Sequence, residues 1–147
     1  MKSGDENMSS LISIIIPVYN QAKELVQALA SIKNQTYSAK GGSVSGGKNI
    51  EIIIEEDKLY EGAPVMRNRG LTKAKGEYVI FWDADVVAVP RMLEVMKESL
   101  DNNPLASFTY CDYNLQLSIF NLQKIFKSQI FNIQKLKKNN YIHSTSL

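Results

Sequence analysis

The sequence lacks the features that mark secreted, zinc-binding and membrane-spanning proteins. It has a single cysteine, Cys111, which excludes a disulfide framework and a cysteine-rich zinc site. No apolar run approaches the ~18 residues of a membrane span, and the polar, acidic start MKSGDENMSS is no signal peptide. An unpaired thiol fits a reducing compartment, so we expect a cytoplasmic protein.

Acidic residues are missing from the C-terminal quarter of the chain. Residues 114–147 contain five lysines and no aspartate or glutamate, a net charge of +5, whereas residues 1–113 carry −3. This basic tail predicts either peripheral contact with the inner face of a membrane or with an acidic acceptor, or only a solvated helix face. The one histidine, His143, is interpreted as structural, with a metal or phosphate role as the alternative.

What is present is an alternation of β-branched apolar runs with helical stretches, in a chain of 147 residues that suits one domain. Strands are predicted at Leu11–Ile16 (ended by Pro17), Ile50–Glu55, from Tyr78 onward, and Leu105–Tyr113. Helices are predicted at Gln21–Asn34, Glu61–Lys75 and Pro90–Asn103. This order predicts an α/β fold with a mainly parallel sheet.

Beyond Asn114 the pattern is weaker. A short helix is predicted at Ile133–Lys138, and a strand at Tyr141–Leu147. We divide the chain into a disordered leader (1–10), a folded core (11–113) and a basic C-terminal segment (114–147).

Two aspartates follow the longest unbroken run of apolar and aromatic residues in the sequence, YVIFW. We interpret that run as a strand buried on both faces, so that Asp83 and Asp85 lie at its carboxyl end. Residues i and i+2 of an extended chain point the same way, and two adjacent carboxylates repel each other unless a cation lies between them. A hard divalent cation fits that need. The alternative is a solvated turn or an aspartate that caps the next helix.

A second acidic cluster ends the strand Ile50–Glu55. Because the carboxyl ends of parallel strands share one edge of a sheet, we expect Glu56 and Asp57 on the edge that carries the Asp-x-Asp stretch. Either residue could accept hydrogen bonds from a base or sugar, although charged residues also mark solvated strand ends. In the following helix, Arg67 and Arg69 are either simply exposed or reach a diphosphate.

Glycines mark two further features. Gly42 and Gly47 have the spacing of a P-loop, but they follow a helix and precede a strand, so we interpret Tyr37–Asn49 as a connector. Gly70 interrupts a helical pattern, which predicts a close backbone approach.

The stretch Leu11–Tyr113 resembles the nucleotide-binding half of the family 2 glycosyltransferases. PVYN after the first strand, the acidic residues after the second, and RNRGLTKAKGEYVIFWDADV carry this resemblance, most specifically over Met66–Pro90. It implies a GT-A type Rossmann-like α/β/α sandwich. It also implies transfer of a sugar from a nucleotide-diphospho-sugar to an acceptor hydroxyl, usually with inversion.

The resemblance also implies cofactors and partners. These are Mg²⁺ or Mn²⁺, a nucleotide-sugar donor and a saccharide or lipid-linked acceptor, in cell-envelope polysaccharide synthesis and without nucleic acid. Pro17, Tyr19 and Asn20 match the loop that lies against the nucleoside. Asp83 matches the ribose-contacting aspartate, and Asp85 the metal-binding one.

Two other parts of the donor site are implied in the same way. Glu56, with Asp57, matches an acidic pair whose first member contacts the base, and Arg67 and Asn68 match a segment near the base and phosphates. The sequence departs from the family at Lys58-Leu59, where small turn residues are usual.

The largest departure concerns the catalytic base, which the family places in a later acidic motif. No acidic residue follows Asp112. We therefore expect a donor-binding half that is truncated on its C-terminal side. The alternatives are a haloacid-dehalogenase-like phosphatase with Asp83 as nucleophile, and a non-catalytic module that binds a partner through Leu115–Lys138.

Overall fold

The computed structural model describes residues 10–37, 49–117 and 122–138. Three strands and three helices alternate in the first part: β1 (Ile12–Val18), α1 (Ala22–Lys33), β2 (Ile50–Glu56), α2 (Ala63–Leu71), β3 (Tyr78–Phe81) and α3 (Met92–Asp101). A hairpin of β4 (Tyr113–Leu117) and β5 (Leu122–Phe126) and a short helix α4 (Ile133–Lys138) follow. The α/β class and all three predicted core helices are confirmed.

The first three strands form a parallel sheet with the order β2-β1-β3. Ile12 pairs with Ile50 on one side and with Tyr78 on the other. All seven residues of β1 are buried, as a run of β-branched residues in a central parallel strand should be. The sheet therefore centres on β1, and β3, expected to be buried on both faces, is an edge strand among the described residues.

Helices cover both faces of this sheet. Alternate residues of β1, among them Ile14 and Ile16, pack with buried residues of α1 and α3 such as Ile32 and Leu93. On the opposite face, Gly70 of α2 lies against Ile15, where an added Cβ would come within 2.3 Å of Ile15 Cγ2. The close approach predicted at Gly70 is therefore present, and the result is an α/β/α arrangement.

Pro17 was expected to end β1, but the strand continues to Val18. Ile15 C=O accepts from Trp82 N–H at 2.9 Å, and Val18 C=O accepts from Asp57 N–H at 2.8 Å. Alternate residues of a parallel strand bond to opposite neighbours, so position 17 faces the β3 side. The pairing with β3 has already ended at Ile15. The missing proline N–H therefore costs no ladder bond.

The predicted fourth strand, Leu105–Tyr113, is wrong. Only an isolated bridge at Tyr110 precedes β4, which begins at Tyr113 and pairs antiparallel with β5. Leu105 is 99% exposed, so no covering element favours a strand there. Helix α4 has the predicted bounds. Residues 1–9 of the leader, most of the connector, and the predicted strand Tyr141–Leu147 with His143 lie outside the described residues.

Candidate functional site

A cavity of about 300 Å³ opens at the carboxyl edge of the parallel sheet. The tips of all three strands and the start of α2 line it, as expected for an open α/β sheet. Its lining residues are Pro17, Val18, Tyr19, Gln21, Asp57, Ala63, Met66, Arg67, Asp83, Ala84 and Asp85. Six of the nine predicted site residues are among them; Asn20, Glu56 and Asn68 are not.

The end of β1 supplies one wall of the cavity. Pro17 and Val18 are the last strand residues, and Tyr19 follows with 46% of its surface exposed. Asn20 then adopts φ = 51°, in the left-handed region that asparagine tolerates better than most residues. This turn directs the chain from the strand tip into α1, while the ring of Tyr19 stays at the cavity.

The end of β2 brings Asp57, rather than Glu56, to the cavity. Asp57 is 7% exposed, and its carboxylate accepts backbone N–H groups of Leu59, Glu61 and Gly62 at 3.3, 3.0 and 2.7 Å. The bond from Gly62, followed by that from Glu61, lowers the pKa of Asp57. Both of its oxygens therefore hold the loop that leads into α2.

Glu56 points elsewhere. Its side chain is 63% exposed and pairs with Lys58 at 3.2 Å. This follows from the alternation of β2, in which Ile53 and Glu55 are buried while Ile54 and Glu56 are exposed.

An ion pair crosses the cavity between α2 and the end of β3. Arg67 Nη2 lies 2.7 Å from Asp83 Oδ1, with the two side chains 25% and 31% exposed. The guanidinium also lies over the ring of Phe81, 5.7 Å from its centroid. Arg67 Nε is buried and has no hydrogen-bond partner among the described residues. The other predicted arginine, Arg69, pairs with Glu61 instead.

The segment after β3 is fixed by its own turn and by α1. Val86 N–H donates to Asp83 C=O at 3.0 Å, and the buried indole of Trp82 donates to Val86 C=O at 2.9 Å. Further along, the side chain of Gln35 donates to Val89 C=O at 2.9 Å. These bonds hold Asp83 and Asp85 at the cavity.

Asp85 is exposed, and Asp83 is engaged with Arg67. Within the described ranges, no group of three or more histidine, cysteine or acidic side chains could hold a metal ion. The donor set therefore fits a magnesium-like ion only where a ligand's phosphates complete its shell, which is how Mg²⁺ is commonly held. A metal cage made of protein side chains alone is not what these residues build.

Sequence reasoning missed Met66 and Ala63 in the cavity wall, because apolar residues at helical spacing predict only core. It also missed Tyr60, whose ring centroid lies 5.1 Å from that of Tyr19. An aromatic residue in a short loop before a helix was the available signal for Tyr60.

Comparison with known proteins places these features in one family. The model of "Glycosyl transferase family 2" matches residues 13–58 and 58–146. The chain belongs to glycosyl transferase family 2. The resemblance noted in the sequence is thereby confirmed, and membership gives no support to the phosphatase alternative.

No helix among the described residues is long and apolar enough to cross a membrane.

Several curated relatives carry glycosyltransferase names. Glycosyltransferase GlyG of Streptococcus pneumoniae is 30% identical over 63% of this chain and 36% of its own length. An uncharacterized glycosyltransferase of Haemophilus influenzae is 35% identical over 69% and 48%. The cholesterol galactosyltransferase of Borreliella burgdorferi is 29% identical over 74% and 35%. The chain thus spans about a third to a half of the length of these relatives.

A solved structure supports the fold. S. aureus TarS 1–349, in complex with UDP, superposes with a TM-score of 0.51 over 64% of this chain and 33% of that one. At 22% identity this likeness concerns the fold alone, and it confirms the GT-A type architecture.

Proposed function

We propose that this chain carries the donor site of a glycosyltransferase that moves a sugar from a nucleotide-diphospho-sugar to an acceptor hydroxyl, with metal assistance and inversion. The observation that carries the proposal is the cavity where Tyr19, Arg67, Asp83 and Asp85 meet at the carboxyl edge of the sheet. It combines an aromatic ring, a guanidinium and carboxylates, the groups needed for a base, a phosphate and a metal or sugar hydroxyl. The UDP bound to TarS is consistent with this assignment.

Asp83 accepts hydrogen bonds from ribose hydroxyls in this proposal, and Arg67 sets its orientation through the 2.7 Å ion pair. Asp85, which is exposed at the cavity, would hold Mg²⁺ or Mn²⁺ when the donor's phosphates supply further oxygen ligands. The ion would neutralise the charge that develops on the nucleoside diphosphate as it leaves. Pro17 and Asp57 shape the cavity around the nucleoside.

An inverting transfer needs a group that removes the proton of the acceptor hydroxyl, and we assign no residue to that role. A saccharide or lipid-linked acceptor stays a prediction, and the five exposed C-terminal lysines would suit one that carries anionic groups. Peripheral membrane contact, a cytoplasmic location and a role in cell-envelope synthesis stay predictions.

Calorimetric titration of the 147-residue chain tests the donor site. We expect at least one of UDP, GDP, ADP and CDP to bind more tightly with Mn²⁺ than without it. Asp85→Asn should remove the Mn²⁺ effect, since one neutral amide replaces the only carboxylate assigned to the ion. Asp101→Asn is the matched control, because Asp101 lies at the end of α3 and pairs with Lys97.

Two results would contradict the proposal. One is the absence of binding by any of the four nucleotides, with and without Mn²⁺. The other is an Mn²⁺ effect that survives Asp85→Asn unchanged.

A further inference from the structure

Tyr60 stands beside the cavity in a strained backbone conformation. Its φ is 59°, and among the described residues only one other non-glycine position, Asn20, has a positive φ. For a tyrosine this conformation is uncommon and carries an energetic cost. The side chain gains little burial in return, since it is 80% exposed. A strained and exposed aromatic residue at the edge of a binding cavity calls for a ligand-based explanation.

The loop that carries Tyr60 is held on both sides. Asp57 accepts N–H groups from Leu59, just before Tyr60, and from Glu61 and Gly62, just after it. Asp57 N–H in turn donates to Val18 C=O, which ties the loop to the end of β1. Tyr60 is therefore presented by a fixed loop, and a ligand that contacts it would lose little conformational entropy in the protein.

The ring of Tyr60 is paired with a ring that lines the cavity. The centroids of Tyr19 and Tyr60 are 5.1 Å apart, with an angle of 57° between the planes. A side-chain hydrogen bond to Tyr60, with burial and the charge of Asp57, raises the pKa of Tyr19. At this separation no third ring fits between them. The two rings instead form an angled wall against which a planar group can lie.

The strand order separates this aromatic wall from the charged end of the cavity. Tyr60 follows β2 and Asp85 follows β3, and the two strands flank β1 on opposite sides. Two strand spacings put those tips about 10 Å apart. A ligand with an anionic group at the β3 side and a planar ring at the β2 side would match both ends.

We propose that Tyr60 adds a second aromatic face beside Tyr19, against which the base of a nucleoside diphosphate stacks. This inference rests on the proposed function, and Tyr60 is the residue that it adds to the donor site. Every base has a π face, so such a wall binds purines and pyrimidines without distinguishing their edges. The pair therefore contributes affinity, while the choice of base falls to other groups.

The test is calorimetric titration of the 147-residue chain with UDP, GDP, CDP, ADP and inorganic pyrophosphate, all with Mn²⁺. Tyr60→Ala should weaken whichever nucleotides bind by roughly 5- to 150-fold, the range for loss of one stacked aromatic. Pyrophosphate, which has no base, should bind equally to both proteins. Tyr60→Phe keeps the ring and removes the hydroxyl, so it should weaken the same nucleotides less than Tyr60→Ala does.

Leu59→Ala is the control on the same loop, because Leu59 is 74% exposed and its N–H bond to Asp57 survives the change. Nucleotide binding that Tyr60→Ala leaves unchanged would overturn the stacking wall and leave the donor site standing. An equal loss for pyrophosphate would overturn it as well, since it would point to a disturbed loop. Failure of the wild-type chain to bind any nucleotide would instead overturn the donor site itself.

Discussion

The parallel sheet and the C-terminal hairpin with α4 contain similar apolar residues but bury them to different extents. Every residue of β1 is buried, whereas no residue of α4 is buried and Ile130 is 95% exposed. Ion pairs differ in the same way. The six among the described residues all fall between residues 55 and 101, because no acid follows Asp112. Apolar pattern alone thus specifies an element, while its burial depends on the layers around it.

The hairpin is held mainly by local contacts. Tyr113 and Phe126 are paired across the strands, with ring centroids 4.7 Å apart and nearly parallel planes. Such a pair contributes about 0.5–1.5 kcal/mol beyond its burial. We infer that most of the folding free energy resides in the sheet and its helices, which also carry the cavity.

The largest expected effect compares one truncation in both regions. Ile80→Ala removes a fully buried side chain from β3 and should lower the free energy of unfolding by about 2–5 kcal/mol. Ile130→Ala, at a 95% exposed position, should change it by less than about 0.5 kcal/mol. Urea unfolding of both variants measures the difference. Equal losses would show that the C-terminal segment has a buried partner.

The next effect concerns the contact between α2 and the sheet. Gly70→Ala should destabilise the protein by about 1–3 kcal/mol, although alanine favours helices, because its Cβ would meet Ile15 Cγ2 at 2.3 Å. The same change should cost less in an Ile15→Ala background, where that methyl group is absent. A stabilising Gly70→Ala in the wild-type background would disprove the close approach.

A smaller effect is expected from the ion pair in the cavity. A double-mutant cycle with Arg67→Met and Asp83→Asn should give a coupling energy of about 1 kcal/mol, since both side chains are half-buried and the atoms lie 2.7 Å apart. The exposed pair Lys58–Glu56, at 3.2 Å, should give no more than a few tenths in the same cycle. Equal couplings would mean that the cavity does not protect its pair from water.

The two regions also differ in how far the sequence predicts them. The strand and helix order up to Asp101 follows from β-branched runs and helical spacing, and the shared edge of Asp57, Asp83 and Asp85 follows from parallel topology. The side of β2 on which Glu56 lies could not be read in the same way. That side depends on which alternate residues of an edge strand face a covering helix.

Leu105–Tyr113 shows the other limit. Its composition suits a strand, but a strand also needs a neighbour with free backbone groups, and only a bridge at Tyr110 forms before β4 begins. The pairing of Tyr19 with Tyr60 depends on a left-handed backbone at position 60, for which tyrosine gives no sequence signal. The local sequence pattern is thus enough to predict the alternating strands and helices of the sheet. It is not enough to predict a contact that depends on the conformation of one loop.

The smallest expected effect is a change in how the free energy of unfolding depends on pH in acid. The N–H bonds of the 59–62 loop depress the pKa of Asp57 below its ordinary value of 3.8. The stabilisation they provide is therefore present above that value and is lost as the pH falls through the depressed pKa. Asp57→Asn should make the free energy of unfolding depend less steeply on pH below about 4. The difference in slope should correspond to the uptake of less than about one proton on unfolding. Leu59→Ala, which keeps the Asp57 carboxylate and the N–H bond of residue 59, should leave this pH dependence as in the wild-type protein. Urea unfolding between pH 7 and pH 3 provides the measurement. The same pH dependence in Asp57→Asn as in the wild-type protein would show that the loop is held by other contacts.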